Sequence, residues 1–444
     1  MSLNPQLPKE PIHRISKPLA RFIRIETSTA CLLLLFTIIS LIVANSRWSR
    51  PFLSVWEISL GIHMGDFEFS RPIHAWINDG LMTLFFFFVS LELKRELVFG
   101  ELRNPRMAAL PVAAALGGML VPALIYLMLQ TGESGQSGWG TVMATDTAFV
   151  IGCLALFGQH IPQSLRMFML SLAIIDDIGA ILVVAIGYSH DISWMALFIS
   201  TIGFIFVHVM KMLGIRNIAA YFFIGVLIWV VVDTSGIHPT VTGVILGLMT
   251  PPTTWIKDKQ MHEILAHVVS YPPGEHWSGD TEDRRALQRA EVAAREALSP
   301  VERLEFFLHP WVGYLILPLF ALANAGVPIS PTDFTNWVTA AVFLGFILGK
   351  PIGVLGFSFI GEFFGLAKRP RDLNWIMLAC GSILTGIGFT MAIFIANLAF
   401  DKNLINAARL GILSASIFCA IVGIFMLLIY KLFFSINLNQ NYSK

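Results

Sequence analysis

Leu172-Ala173-Ile174-Ile175-Asp176-Asp177-Ile178-Gly179-Ala180 sets two adjacent acids in the middle of an apolar run that extends from about residue 166 to 188. A run of that length is what a helix needs to cross a hydrocarbon core of about 30 Å. The chain around it agrees. Of its 444 residues, 55% are hydrophobic and 13% charged, and the mean hydropathy is +0.71. A soluble domain carries about 25% charge, so a water-soluble globule is excluded, and 35 Phe with 11 Trp exclude disorder. Thirty basic and 29 acidic residues nearly cancel, leaving no basic block for a nucleic-acid partner.

Working outward, stretches of similar length predict spans near 27-45, 77-97, 107-129, 141-157, 166-188, 193-212, 217-233, 237-251, 303-326, 335-360, 374-398 and 406-433. The reading is an all-α polytopic membrane protein of twelve transmembrane helices. Its first span is uncleaved, because no small-residue cleavage site follows the apolar run. Lys and Arg test the count, since cytoplasmic loops collect them. The N-terminal segment holds Lys9, Arg14, Lys17, Arg21 and Arg24, and with the segments after every second span and the C-terminal end that side totals 24. The other side has five (Arg47, Arg50, Arg71, Lys402 and Arg409), and the last base, Lys350, lies in a span. Both termini are therefore expected in the cytoplasm. The domains follow: a cytoplasmic segment 1-26, a twelve-span body 27-433 and a cytoplasmic tail 434-444.

Two extramembrane features sit within that body. In the outer loop 46-76, residues 54-70 alternate (Trp56, Ile58, Leu60, Ile62, Phe67, Phe69) around His63-Met64-Gly65-Asp66, which predicts a β-hairpin. Such a hairpin is marginal alone and wants a partner. The cytoplasmic loop 252-299 is polar, and Glu282, Arg285, Arg289, Glu291 and Arg295 predict a solvated helix over 282-298. Ser299-Pro300-Val301-Glu302 is a helix start, with a capping serine, a proline at the first helical position and a glutamate three after the cap. Cys31, Cys153, Cys380 and Cys419 sit singly and read as lipid-facing or core thiols.

Four charges remain inside apolar runs: Asp146, Asp176, Asp177 and Lys350. Each costs about 2.5 to 3.5 kcal/mol at a helix centre. A buried Asp/Lys pair that fixes helix packing would use two of them. Three acids against one base exceed what packing needs, and intramembrane ionisable residues mark a functional site. Asp176 and Asp177 point about 100° apart on a helix, so they do different jobs. Their closeness couples their titration. Carboxylates that accept protons and can also ligate a small hard cation suit exchange of H⁺ for Na⁺ or Li⁺.

Asp146 lies in Ala144-Thr145-Asp146-Thr147-Ala148, a polar island whose side chains compete for backbone hydrogen bonds, so span 4 should be interrupted there. Span 11 should break at Gly381-Ser382 and Thr385-Gly386-Ile387-Gly388-Phe389-Thr390. The alternative for that motif is a Gly-rich packing face. Unwound backbone survives at membrane depth only where protein or water satisfies it. Two interrupted spans in corresponding positions point to inverted repeats, spans 3-5 against 10-12, with the site between them. Lys350, in Gly349-Lys350-Pro351, either pairs with an acid or faces half-helix C-termini, and Pro351 should weaken the helix beside it.

The strings Trp76-Ile77-Asn78-Asp79-Gly80-Leu81-Met82, Leu91-Glu92-Leu93-Lys94-Arg95-Glu96-Leu97, Ala144-Thr145-Asp146, Ala173-Ile174-Ile175-Asp176-Asp177, Gly349-Lys350-Pro351 and Gly386-Ile387-Gly388-Phe389-Thr390-Met391 run over nearly the whole chain. Together they resemble the NhaA-type Na⁺/H⁺ antiporters of bacterial inner membranes, a family that also serves as a standard example of inverted repeats. The resemblance implies that Asp176 and Asp177 are the ion- and proton-binding pair and, with Thr145 as an accessory, ligate the transported cation, Asp177 being the principal ligand and Asp176 also the salt-bridge partner of Lys350, with Asp146 balancing charge at the crossing of the broken helices. It implies electrogenic exchange of two protons for one Na⁺ or Li⁺, activated at alkaline pH, with no cofactor. It further implies a pH response at Glu92, Glu96 and Glu305, and a homodimer joined by the hairpin. His238 is either a sensor or a satisfied histidine at a helix end.

The sequence departs from the familiar pattern at Ser90, Phe306, Pro239 and the long 252-299 loop, which bears on regulation rather than on the Asp pair. Other readings fare worse. A two-aspartate membrane protease needs its acids on different helices, and prenyl transfer needs a second acidic cluster. A passive cation channel suits the broken repeats less than alternating access does. The runner-up is a proton-coupled carrier of another small solute, which should show a larger cavity with aromatic or Arg anchors; no Arg is expected at membrane depth.

Overall fold

The computed structural model describes residues 26–64, 67–158, 161–189, 192–215, 217–254, 256, 258–269, 282–370 and 372–441. The basic N-terminal residues Lys9, Arg14, Lys17, Arg21 and Arg24 lie outside the described residues, as do Gly65 and Asp66, residues 270–281 of the long loop, and Lys444.

The described chain is helical apart from one small sheet. It runs α1 (Glu26–Ala44), α2 (Ser49–Trp56), β1 (Ser59–Met64), β2 (Phe67–Pro72), α3 (Ile73–Val98) and α4 (Pro105–Leu129). A 3₁₀ helix (Gln136–Met143) precedes α5 (Thr147–Ala155), α6 (Gln163–Gly187), α7 (Trp194–Met212), α8 (Ile218–Asp233) and α9 (Thr240–Met249). Then come α10 (Asp258–Val269), α11 (Glu282–Glu296), α12 (Pro300–Asn324), α13 (Pro331–Phe334), α14 (Trp337–Phe363), α15 (Trp375–Leu384), α16 (Phe389–Ala399) and α17 (Ile405–Asn441).

Among the described residues, eight helices are long and apolar enough to cross a membrane, and ten if each bent pair counts as one span. The remaining two apolar helices, Ile218–Asp233 and Thr240–Met249, are shorter. This is a multi-pass membrane protein. The last helix runs on to Asn441, eight residues beyond the boundary at 433 expected from hydropathy.

The hairpin is shorter and later than the alternation suggested. Its antiparallel strands pair Ser59 with Pro72 through Met64 with Phe67. Trp56 lies instead in α2, where Pro51 falls in the first turn, a place that needs no proline N–H. Residues 282–296 are helical as expected, and Ser299 caps α12: its hydroxyl accepts the Glu302 N–H at 3.3 Å while the Glu302 carboxylate accepts the Ser299 N–H at 3.1 Å. The helix α10 was missed, since its 12 residues have no cap or break signal of that strength.

Three π-turns interrupt the long helices, at Trp76–Leu81, Val312–Ile316 and Gly345–Gly349. The last two have a physical cause. Pro351 and Pro318 would each clash with the carbonyl four residues back, Ile347 and Tyr314, and the helix widens there to admit the ring.

The chain divides into two compact units. One comprises residues up to Leu81, Asn104–Tyr188 and Gly313 onward. Within it α4 lies against α14 at an approach only glycine permits: a Cβ on Gly117 would fall 2.1 Å from the Gly353 carbonyl oxygen, and one on Gly353 2.1 Å from that of Gly117. The other unit comprises Met82–Arg103 and Ser189–Val312. There Val207, Ile228 and Val232 form a core between α7 and α8, and the α11 face carrying Ala286, Ala290 and Ala293 is buried. Cys153, Cys380 and Cys419 are buried free thiols and Cys31 an exposed one.

Candidate functional site

The charged residues gather in the first unit, where two interrupted helices meet. In the first, the 3₁₀ helix stops at Met143, Ala144–Asp146 are extended, and α5 begins at Thr147. In the second, α15 stops at Leu384 and α16 begins at Phe389, with a bend of 48° between them. The break falls at residues 385–388; Gly381 and Ser382 remain helical, because an isolated glycine is tolerated in a buried helix packed on both sides. The two breaks touch: the Asp146 N–H donates to the Ile387 carbonyl at 2.7 Å.

Each break exposes two helix ends; three of the four find a charge of suitable sign and the fourth a hydroxyl. Asp146 serves the N-termini. One carboxylate oxygen accepts the Phe149 N–H at 3.3 Å, capping α5. The other accepts both the Thr390 N–H at 3.0 Å and the Thr390 hydroxyl at 2.5 Å, at the start of α16. One anion thus answers two half-helix dipoles. On the C-terminal ends, Lys350 donates to the carbonyl of Met143, the last residue of the 3₁₀ half, and the Thr145 hydroxyl, whose one proton goes mainly to Asp176, lies 3.2 Å from the Thr385 carbonyl.

Lys350 is also the partner of Asp176, with Nζ 2.8 Å from Oδ2 and neither side chain exposed. The Thr145 hydroxyl lies 2.8 Å from each, accepting from the ammonium and donating to the carboxylate. Both alternatives open in the sequence for Lys350 are therefore realised together. Asp177 sits one residue on, 3% exposed, with the Thr147 hydroxyl 3.4 Å from its Oδ2. The adjacent acids take separate partners, as their angular separation requires.

The structure thus brings Asp146, Asp176, Asp177, Thr145 and Lys350 into one buried cluster. Thr145 is bonded to Asp176 and Lys350, and the Thr147 hydroxyl lies within reach of Asp177. The sequence had quoted Thr147, Thr385 and Thr390 only as parts of strings. What could have found them is the rule that each broken end must be satisfied by a polar neighbour. No group of three or more His, Cys, Asp or Glu residues suited to a resident metal occurs among the described residues.

Glu92, Glu96 and Glu305 lie in the second unit, outside this cluster. Arg95 joins two of them, 3.1 Å from Glu96 and 2.8 Å from Glu305, both buried, whereas Glu92 is half-buried. Arg95 was quoted in a motif but given no role. His238 stands at the start of α9, its Nδ1 2.8 Å from the Thr240 hydroxyl, a local helix-end contact.

One charge is misplaced by the sequence reading. Arg409, counted with the loops, is the fifth residue of α17 and lies inside a candidate span. It is held there by Asn397, whose side-chain carbonyl accepts from Nη2 at 2.7 Å.

Buried ionisable groups where apolar helices are interrupted mark a functional site in a multi-pass membrane protein. The family model described as Na⁺/H⁺ antiporter 1 matches residues 20–427, and the chain belongs to that family, whose members are secondary transporters rather than enzymes. It is 56% identical over 422 residues to the protein named Na(+)/H(+) antiporter NhaA 2 of Acidiphilium cryptum (strain JF-5), covering 95% of this chain and 94% of that one. The Na(+)/H(+) antiporter NhaA of Rhizobium meliloti (strain 1021) is 56% identical over 418 residues, 94% of this chain and 96% of its own length. A more distant relative, the Na(+)/H(+) antiporter NhaA of Rhodopirellula baltica (strain DSM 10527 / NCIMB 13988 / SH1), is 46% identical over 428 residues, 95% of this chain and 96% of its own.

Proposed function

We propose that this protein exchanges Na⁺ or Li⁺ for H⁺ by alternating access at the Asp176/Asp177 cluster, two protons entering for each cation extruded. The observation that carries the reading is a buried Asp177 beside an Asp176–Lys350 pair, where two broken helices cross. Cation and proton each neutralise the same carboxylate, so binding one displaces the other. Such competition, linked to a site that faces each side in turn, is exchange. Moving two charges against one makes the cycle electrogenic.

Asp177 is the principal cation ligand, with Thr147 and Thr145 as accessory oxygens. Asp176 and Lys350 hold the site between turnovers, and Asp146 balances the half-helices. Glu92, Glu96 and Glu305 around Arg95 set the response to alkaline pH, with His238 a further candidate. The apolar segments make twelve spans in the bacterial inner membrane, with inverted repeats 3-5 and 10-12 and both termini cytoplasmic. The reciprocal glycine contact of α4 and α14, which are spans 3 and 10, supports that pairing. Arg409 gives no support to a carrier of larger solutes, because its guanidinium is bonded to Asn397 rather than directed at the Asp cluster.

Vesicles with an imposed pH gradient test the reading. Na⁺-induced proton movement should fall at least about a hundredfold in Asp177→Asn, as expected for loss of an essential charged ligand; an unchanged rate would overturn it. The hairpin is assigned to homodimer formation by strand addition at its edges. Deleting 59–72 should abolish cross-linked dimers in membranes and leave monomer transport, and dimers that persist would remove this assignment.

A further inference from the structure

A second buried polar network lies at the hairpin end of the first unit, and the exchange site as described makes no use of it. Asn78 in the π-turn of α3, Asn324 at the end of α12, Asn397 near the end of α16 and Arg409 at the start of α17 form one chain of hydrogen bonds. Arg409 donates to the Asn397 carbonyl oxygen at 2.7 Å, and the Asn397 amide donates to the Asn324 oxygen at 2.7 Å. Asn324 donates in turn to Asn78 at 2.8 Å and to the Phe320 carbonyl at 3.0 Å, while Asn78 returns a bond at 3.3 Å. Asn324 is wholly buried and Asn78 nearly so.

What gives this network a bearing on exchange is α16. Thr390 and Asn397 are seven residues apart, two turns, so they lie on one face and about 10 Å apart along the axis. Thr390 binds Asp146 at the crossing, and Asn397 binds Asn324 and Arg409 at the other end. The intervening residues Met391–Ala396 are all buried and apolar. This half-helix is therefore tied by polar bonds at both ends and only packed in between. The Ser137 hydroxyl adds a bond of 2.8 Å to the Ala399 carbonyl, joining its far end to the 3₁₀ half of the other broken helix. Parting Asn397 from Asn324 separates two neutral amides and strands no charge, unlike an ion pair, while Arg409 can stay bonded to Asn397.

We propose that Asn397 and Arg409 are positioning residues for the exchange site: they hold the far end of α16 against Asn324, and the breaking and making of these bonds sets which side the Asp177 site faces. The inference rests on the alternating-access reading above. It assigns the two residues no contact with the transported ion.

The test uses the full-length chain in membrane vesicles of both orientations, measuring the Na⁺ concentration that half-saturates exchange from each side. A change in facing equilibrium alone lowers that concentration on one side and raises it on the other, whereas general damage raises both. Asn397→Ala should shift the ratio of the two values at least fivefold, with the individual values moving in opposite directions. Arg409→Gln should do the same, which keeps the test available if Asn397→Ala does not assemble. Arg409→Lys, whose ammonium can still donate to Asn397, should stay within twofold of the parent. Values that move together, or a ratio that does not move in either variant, would overturn the inference. If Asp177→Asn abolishes exchange while Asn397→Ala leaves the ratio unmoved, the positioning role alone fails; if Asp177→Asn leaves exchange intact, the site reading fails instead.

Discussion

Lys350 and Arg95 are both cations held close to carboxylates in apolar helices, yet their surroundings differ. The Lys350 side chain and its partner Asp176 are wholly buried, and their remaining bonds go to the unwound backbone and hydroxyl of a broken helix. Arg95 keeps a third of its side chain exposed and divides its guanidinium between Glu96 and Glu305, on two unbroken helices. The first arrangement carries a desolvation cost that no packing need accounts for, and the Coulomb attraction within it is unscreened. The second is only partly screened: its cation reaches solvent while its two carboxylates are buried. Equal distances therefore do not mean equal energies. The Lys350 cluster holds both its charges at depth; the Arg95 cluster keeps its cation in reach of the surrounding water.

The largest effect that could break this contrast is on Lys350. Lys350→Met should lower stability by about 3 to 5 kcal/mol, because it leaves Asp176 a buried charge without its cation. Thermal unfolding in detergent would read this, and adding Asp176→Asn should recover more than half of the loss. A melting temperature that stays put in the single variant would mean the pair is not buried as described.

Asp146 comes next. Its carboxylate serves two helix N-termini, and a lost cap costs about 0.5 to 2 kcal/mol each, so Asp146→Ala should cost about 1 to 4 kcal/mol. Asp146→Asn should cost well under half of that, since asparagine caps as well as aspartate. If both variants melt alike, the charge rather than the capping matters.

The smallest change is expected at Arg95. Arg95→Gln should lower stability by less than Lys350→Met does, because its cation is a third exposed although its carboxylates are buried; on the proposed pH-response role of this cluster it should also displace the pH dependence of exchange and change its dependence on ionic strength. A stability loss as large as that of Lys350→Met, seen in the same unfolding assay, would erase the distinction between the two clusters.

How much of this was legible in advance varied with the range of the physics involved. The apolar runs, the capping box at Ser299, the helix over 282–296 and the two helix interruptions follow from local rules, and the structure has them within a few residues. The hairpin start was misjudged because Trp56 alternates with Ile58 in sequence while belonging to a helix that ends there. The break in α15–α16 fell at the second of two glycine-containing stretches, a choice made by the Ile387 carbonyl meeting Asp146. Arg409, at the edge of the expected span 406-433 and counted with the outer side, has a partner that the sequence does not show: Asn397, on the preceding helix.

The sequence by itself determined that this chain lives in a membrane and singled out Asp146, Asp176, Asp177 and Lys350 as the charges within its apolar runs. Transferring a charge into hydrocarbon is so unfavourable that one string of letters suffices to mark it. Only the tertiary structure decided which charge answers which: Lys350 to Asp176 and a half-helix C-terminus, Asp146 to two N-termini, Thr147 beside Asp177 and Arg409 at the far end of α16. Hydrogen bonds act over about 3 Å, so their partners are chosen by where helices cross, and one sequence read in order does not contain the crossings.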